Sequence, residues 1–103
     1  MIPGCEVKAG VCLVGVQPVM SRAAMKVADV YKKFGRSCVI TSGVEGKHSA
    51  NSLHYEGLAL DFRTRHLLET KHLALRQAVS EALGDDFDVV LERTHLHVEY
   101  DPA

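Results

Sequence analysis

A chain of 103 residues is long enough for one compact domain and too short for two. Hydrophobic residues make up 47%, so a buried core is expected and global disorder is excluded. The formal net charge is -1 with scattered Lys and Arg, which argues against a nucleic-acid or anionic-membrane surface, and no apolar run is long enough to span a bilayer.

The N-terminus, Met1-Ile2-Pro3-Gly4-Cys5, lacks the basic flank and apolar stretch of a signal peptide, so synthesis in a cytoplasm is expected. Residues 1–18 alternate weakly, with Val7, Cys12, Val14 and Val16 suggesting one or two short strands broken at Gly10 and Gly15. Residues 19–35 read as a helix. Ala24, Val27, Tyr31 and Phe34 fall at helical spacing, and Lys32, Lys33 and Gly35 mark its end. Ser37-Cys38-Val39-Ile40-Thr41 is short, apolar and β-branched and reads as a strand, and the Gly- and Ser-rich stretch 42–53 is a long loop of the kind that often carries function.

A strand over 57–63 follows. Its pleat puts Leu58, Leu60 and Phe62 on the core face and Asp61 on the other. Residues 66–83 predict a second helix with Leu68, His72, Leu75, Val79 and Leu83 as its stripe and Gly84 as its stop. Phe87–Leu91 and Leu96–Tyr100 predict a hairpin. This order predicts a single α+β domain over 1–103, an antiparallel sheet of about four strands with two helices packed on one face.

The three cysteines, Cys5, Cys12 and Cys38, are odd in number and widely spaced, which argues against a disulfide framework. Cys12 and Cys38 read as small buried hydrophobes. With no disulfides, a metal is a plausible staple for a domain this small.

Two segments carry the chemistry. In Ser52-Leu53-His54-Tyr55-Glu56-Gly57-Leu58-Ala59-Leu60-Asp61, a polar loop with a histidine runs into an apolar strand that ends on a carboxylate. An unpaired carboxylate in such a strand is costly, which marks Asp61. In Glu92-Arg93-Thr94-His95-Leu96-His97-Val98-Glu99, alternation puts His95, His97 and Glu99 on one face. If Arg93-Thr94 is a two-residue turn, Glu92 lies across from His95. Imidazole and carboxylate donors suit zinc, and three protein ligands leave one coordination position open. The expected ligands are His54, Asp61 and His97. Glu92 is the expected base toward zinc-bound water, which is acidic enough to ionise near neutral pH. His48 and His95 are expected beside the metal without binding it, as donors to an oxyanion, and Ser52 is expected to touch substrate. His66 and His72, on or near the second helix, read as ordinary structural histidines. Glu56 and Glu99 read as solvated or supporting carboxylates, and Asp85, Asp86 and Asp88 as a solvated turn.

The pattern Ser52-x-His54-x-x-Gly57-x-Ala59-x-Asp61 followed by His95-x-His97 resembles the zinc D-Ala-D-Ala carboxypeptidases and peptidoglycan endopeptidases of bacteria and their phages. Thr41-Ser42-Gly43 is similar to that family's approach to the site. Ser52 to Gly57 also resembles the hedgehog signalling domain, whose likeness covers roughly residues 37–101. The resemblance implies one zinc ion on His54, Asp61 and His97, with His48 and His95 beside it and Glu92 as the carboxylate ahead of the His-x-His pair. Those peptidases often hold an Arg after the Ser-Gly for the substrate carboxylate. Here Glu45 stands in that region, which turns the expectation toward an endopeptidase acting on cross-linked stem peptide. The calcium-binding acidic cluster of hedgehogs is largely missing, so no calcium is expected. The size and lack of an export signal look like a phage or bacterial protein, such as an endolysin that reaches the cell wall after release.

The expected function is therefore zinc-dependent hydrolysis of peptidoglycan stem peptides, by a monomer with no nucleic-acid partner and no membrane span. The alternative is a hedgehog-like zinc-stabilised binding module without turnover. A third possibility is a small globular domain with no metal.

Overall fold

The computed structural model describes residues 2–46 and 51–102. The elements run β1 (Cys5–Val7), α1 (Pro18–Lys33), β2 (Cys38–Ser42), β3 (Ala59–Arg63), a 3-10 turn (Glu69–Lys71), α2 (His72–Leu83), β4 (Phe87–Leu91) and β5 (His95–Tyr100). The sheet order is β1-β2-β3-β5-β4. The α+β class matches expectation. The sheet, however, has five strands rather than about four, and it is mixed, because β1 pairs parallel to β2 while the other pairs are antiparallel. No helix among the described residues is long and apolar enough to cross a membrane.

The sheet has one apolar face and one polar face because its residues alternate. Ile40, Leu60, Phe62, Val89, Leu96 and Val98 point to the helices and form one buried cluster with Met20, Ala24, Val27, Tyr31, Leu75 and Val79. Each Val, Leu, Ile, Phe or Met among them contributes roughly 1.5–3 kcal/mol on full burial. Pro18 opens α1, where its missing N–H is not needed. Tyr31 belongs to the core, as its spacing predicts, and its hydroxyl donates to the Arg63 carbonyl at 2.7 Å, fixing the end of β3. The second helix starts later than its pattern suggests. Residues 64–71 are turns and a single 3-10 turn, so Leu68 is 67% exposed instead of belonging to the buried stripe.

The N-terminal region departs most from expectation. Only Cys5–Val7 forms a strand. Residues 10–17 form a strap across the loops that flank β3. The Cys12 carbonyl accepts from the Val44 N–H at 3.0 Å, and the Gln17 N–H donates to the Gly57 carbonyl at 3.0 Å. Its approach is so close that a Cβ on Gly43 would lie 2.2 Å from the Cys12 carbonyl oxygen, and one on Gly57 2.0 Å from that of Gly15.

Candidate metal centre

On the polar face, register fixes the neighbours. Asp61 pairs with His97 and Arg63 with His95 across β3 and β5, while Ser42 of β2 pairs with Asp61 on its other side. Odd-numbered residues of β3 and β5 therefore share one face. His54 reaches the same point from the loop before β3. That loop is held by the Ser52 hydroxyl, which accepts the His54 N–H at 3.2 Å, and by successive turns over 52–58.

Three donor atoms converge. His97 Nδ1 lies 2.9 Å from Asp61 Oδ1, His54 Nε2 lies 3.2 Å from the same oxygen, and the two ring nitrogens are 3.3 Å apart. His54 and Asp61 are buried. The other nitrogen of each ring is already committed. His54 Nδ1 donates to the Gly43 carbonyl at 2.8 Å, and His97 Nε2 donates to the Glu99 carboxylate at 2.7 Å. In the neutral rings, those two bonds point the remaining lone pairs inward at a carboxylate oxygen. Lone pairs so close repel unless a proton or a cation sits between them. Tetrahedral zinc with bonds of about 2.0–2.1 Å spaces its donors about 3.3 Å apart, which the triangle here approximates. His54, Asp61 and His97 can hold a metal ion.

The electrostatics follow. Burial acts to raise the Asp61 carboxyl, but hydrogen bonds from His54 and His97 outweigh it and hold the group below the usual carboxylate range. The hydrogen bond to Asp61 lifts His97 against the opposing effect of burial; with Glu99 adding to it, the imidazole rises to about 9. In metal-free protein, a proton therefore occupies His97 at neutral pH. A metal must displace it, so apparent affinity is expected to rise about tenfold per pH unit from 7 toward 9 and then level, as read by chelator competition. The sign for stability is opposite. A raised folded-state value stabilises fully below the ordinary 6.5 and ceases to do so as pH climbs through about 9. The melting temperature of metal-free protein is thus expected to fall over that interval.

The remaining expected residues are placed as follows. His95 sits beside the triad, its Nε2 3.6 Å from Asp61 Oδ2 and its Nδ1 3.0 Å from the Thr94 hydroxyl. Arg93-Thr94 is the two-residue turn, with the Glu92 N–H donating to the His95 carbonyl at 2.9 Å, so Glu92 lies across from His95 as expected. The Glu92 residue is exposed. Ser52 supports the backbone of His54. His48 lies outside the described residues. His66 and His72 bond the carbonyls of Ser37 and Leu67, away from the triad. Asp88, Glu99 and Asp101 also bring their oxygens together, at the surface, an arrangement that solvated acidic groups adopt without a cation.

One feature was left open by the sequence reading, and two escaped it. Glu99 orients His97, a role that the shared face of residues 97 and 99 allows but does not require. Glu45 faces inward, accepting from the N–H groups of Cys12 and Gly43 and from the Ser42 hydroxyl. Burial raises its carboxyl, yet these bonds prevail and lower it. Finally, Lys8, Arg63 and Arg65 line a polar cleft of about 220 Å³ that shares Asp61 with the triad and also takes in His95. None of the three cations has an ion-pair partner among the described residues. They come from separate parts of the sequence, and only the fold gathers them. No family model matches this chain, and no curated protein matches it significantly.

Proposed function

We propose that the protein is a zinc-dependent peptidase acting on peptidoglycan stem peptides, with His54, Asp61 and His97 holding one zinc ion. The observation that carries this reading is the inward-facing triangle of two imidazole nitrogens and one carboxylate oxygen, with both rings held from behind. Zinc in such a setting supplies a Lewis acid and makes water a competent nucleophile near neutral pH.

The chain's own residues supply the rest. Glu92, exposed on the face that carries His95, takes up a proton during attack on the peptide carbonyl and returns it to the departing amine. His95, between Asp61 and Thr94, donates toward the oxygen on which negative charge develops. The cations of the neighbouring cleft orient a substrate carboxylate near the scissile bond, a task the sequence alone put in doubt because Glu45 stands in the region where the resembling peptidases often hold an arginine. Glu45 is instead tied to Cys12, Gly43 and Ser42.

The test is digestion of defined muropeptides by zinc-loaded protein, read by mass spectrometry, with Glu92→Gln beside the wild type. The variant is expected to lose about 10²–10⁴-fold in kcat. Its zinc content should be unchanged, and its melting should stay within the small range usual for surface substitutions. In the same assay, Arg65→Ala is expected to raise KM about tenfold for a substrate with a free carboxylate next to the cleaved bond and to spare the matching amide. Zinc-loaded wild type that leaves every muropeptide intact would favour the binding module over the enzyme.

A further inference from the structure

Cys5 stands directly across from Cys38 in the parallel pairing of β1 with β2. Their sulfur atoms are 3.7 Å apart. Cys38 is buried, and Cys5 is half-buried at the sheet edge with its sulfur 3.5 Å from the Ala24 carbonyl oxygen. Neighbouring strands lie about 4.8 Å apart. That spacing falls within the Cα separations of about 4.4–6.8 Å that a disulfide spans. Rotation of two short side chains therefore brings the sulfurs to bonding distance with the backbone in place.

We propose that Cys5 and Cys38 form a covalent modification site: a dithiol that closes to an intrachain disulfide by exchange with a low-molecular-weight disulfide. The more exposed Cys5 acts first. Its thiolate attacks one sulfur of the external disulfide, that S–S bond breaks, and one thiolate departs. Cys38 then gives up its proton and attacks the Cys5 sulfur, expelling the second thiolate as the Cys5–Cys38 bond forms. The protons released by Cys5 and Cys38 end on the two departing thiols. The protein is oxidised by two electrons and the external disulfide reduced by two. The Cys38 S–H directed at Cys5 lowers the Cys5 thiol, which favours this order of events.

The placement gives the bond a consequence. Strand β1 is only three residues long and is an edge strand. Beyond it the chain runs into the strap that holds Gly43 and Gly57, the residues flanking the metal loop. A link joining positions 33 apart restricts the unfolded chain and fastens the start of that strap. Cys12 lies in the strap, with its N–H bound to Glu45 and its carbonyl to Val44, and remains a free thiol.

The experiment uses the metal-loaded chain in a buffer of oxidised and reduced glutathione. Thiols are counted after denaturation, links are mapped by peptide mass spectrometry, and melting is recorded. The expected result is a fall from three thiols to one, a Cys5–Cys38 linked peptide, and a melting temperature higher by roughly 10 °C that dithiothreitol reverses. Cys5→Ser, at the half-buried position, should show neither the link nor the shift. Three thiols persisting in excess oxidised glutathione, glutathione retained on Cys5, or a link to Cys12 would each overturn the proposal. The readouts do not depend on hydrolysis, so they stand apart from the peptidase reading.

Discussion

Asp61→Ala is expected to leave the protein without stoichiometric metal. Its Oδ1 is the one anionic donor in the triangle and touches both ring nitrogens. Without it, two neutral imidazoles remain, and they gain little from each other. Loss of a residue that merely supports a ligand costs about 10–100-fold in affinity, so loss of the ligand itself should cost about 10³-fold or more. The effect reaches stability. Metal at a thousandfold excess over its Kd stabilises the folded state by about 4 kcal/mol, or roughly 15–30 °C in melting for a domain of this size. A chelator should therefore lower wild-type melting by that amount and leave Asp61→Ala almost unmoved. Elemental analysis should find about one zinc per wild-type chain and nearly none in the variant. Asp88→Ala, in the surface acidic group, serves as the control and should keep its metal. Retention of wild-type zinc by Asp61→Ala would sink the assignment of the centre.

The second large effect is expected away from the ligands. Gly57 has φ +73°, where a side chain is strained, and a Cβ there would sit 2.0 Å from the Gly15 carbonyl oxygen. Both groups are backbone, so neither can swing aside. Gly57→Ala should cost about 3 kcal/mol, from conformational strain together with the displaced strap. Gly10 makes the comparison clean. It has φ +90° but nothing within 4 Å, so Gly10→Ala carries only the conformational part. The gap between the two variants in melting of metal-free protein measures the contact. Because Gly57 closes the turn that begins at His54, through the bond from its N–H to the His54 carbonyl, the variant should bind metal more weakly too. Equal melting of the two variants would show that the strap adds nothing.

Much of this was readable from pattern. The alternation Leu58, Leu60, Phe62 puts Asp61 off the core, and the same period puts His95, His97 and Glu99 together. Two-residue spacing is a strong signal because a slip of one residue would bury the charged set. The Arg93-Thr94 turn was one option that the pattern left open, because Arg-Thr suits tight turns poorly, and the pairing of Leu91 with Leu96 decides it. What escaped notice was held by backbone or by distance. Residues 10–17 alternate only weakly, and the strap works through the carbonyl of Cys12 and the N–H of Gln17, groups that side-chain patterns do not report. A short strand near Val7 was among the expectations, but three residues of β1 carry nothing that announces its parallel pairing with β2. Lys8, Arg63 and Arg65 read as scattered charges until the fold brought them to one cleft. Leu68 misled because helical spacing continues through a turn that is not helical.

The ligands differ in how they are mounted. Residues 61 and 97 face each other across a hydrogen-bonded ladder inside the sheet, whereas residue 54 hangs from a turn whose shape is borrowed from an N-terminal segment. An ion held between them would draw two donors from the sheet and one from a loop. The position of the third donor therefore depends on residues 10–17, some forty positions upstream of it, so a change far from the triangle in sequence is felt at one corner of it.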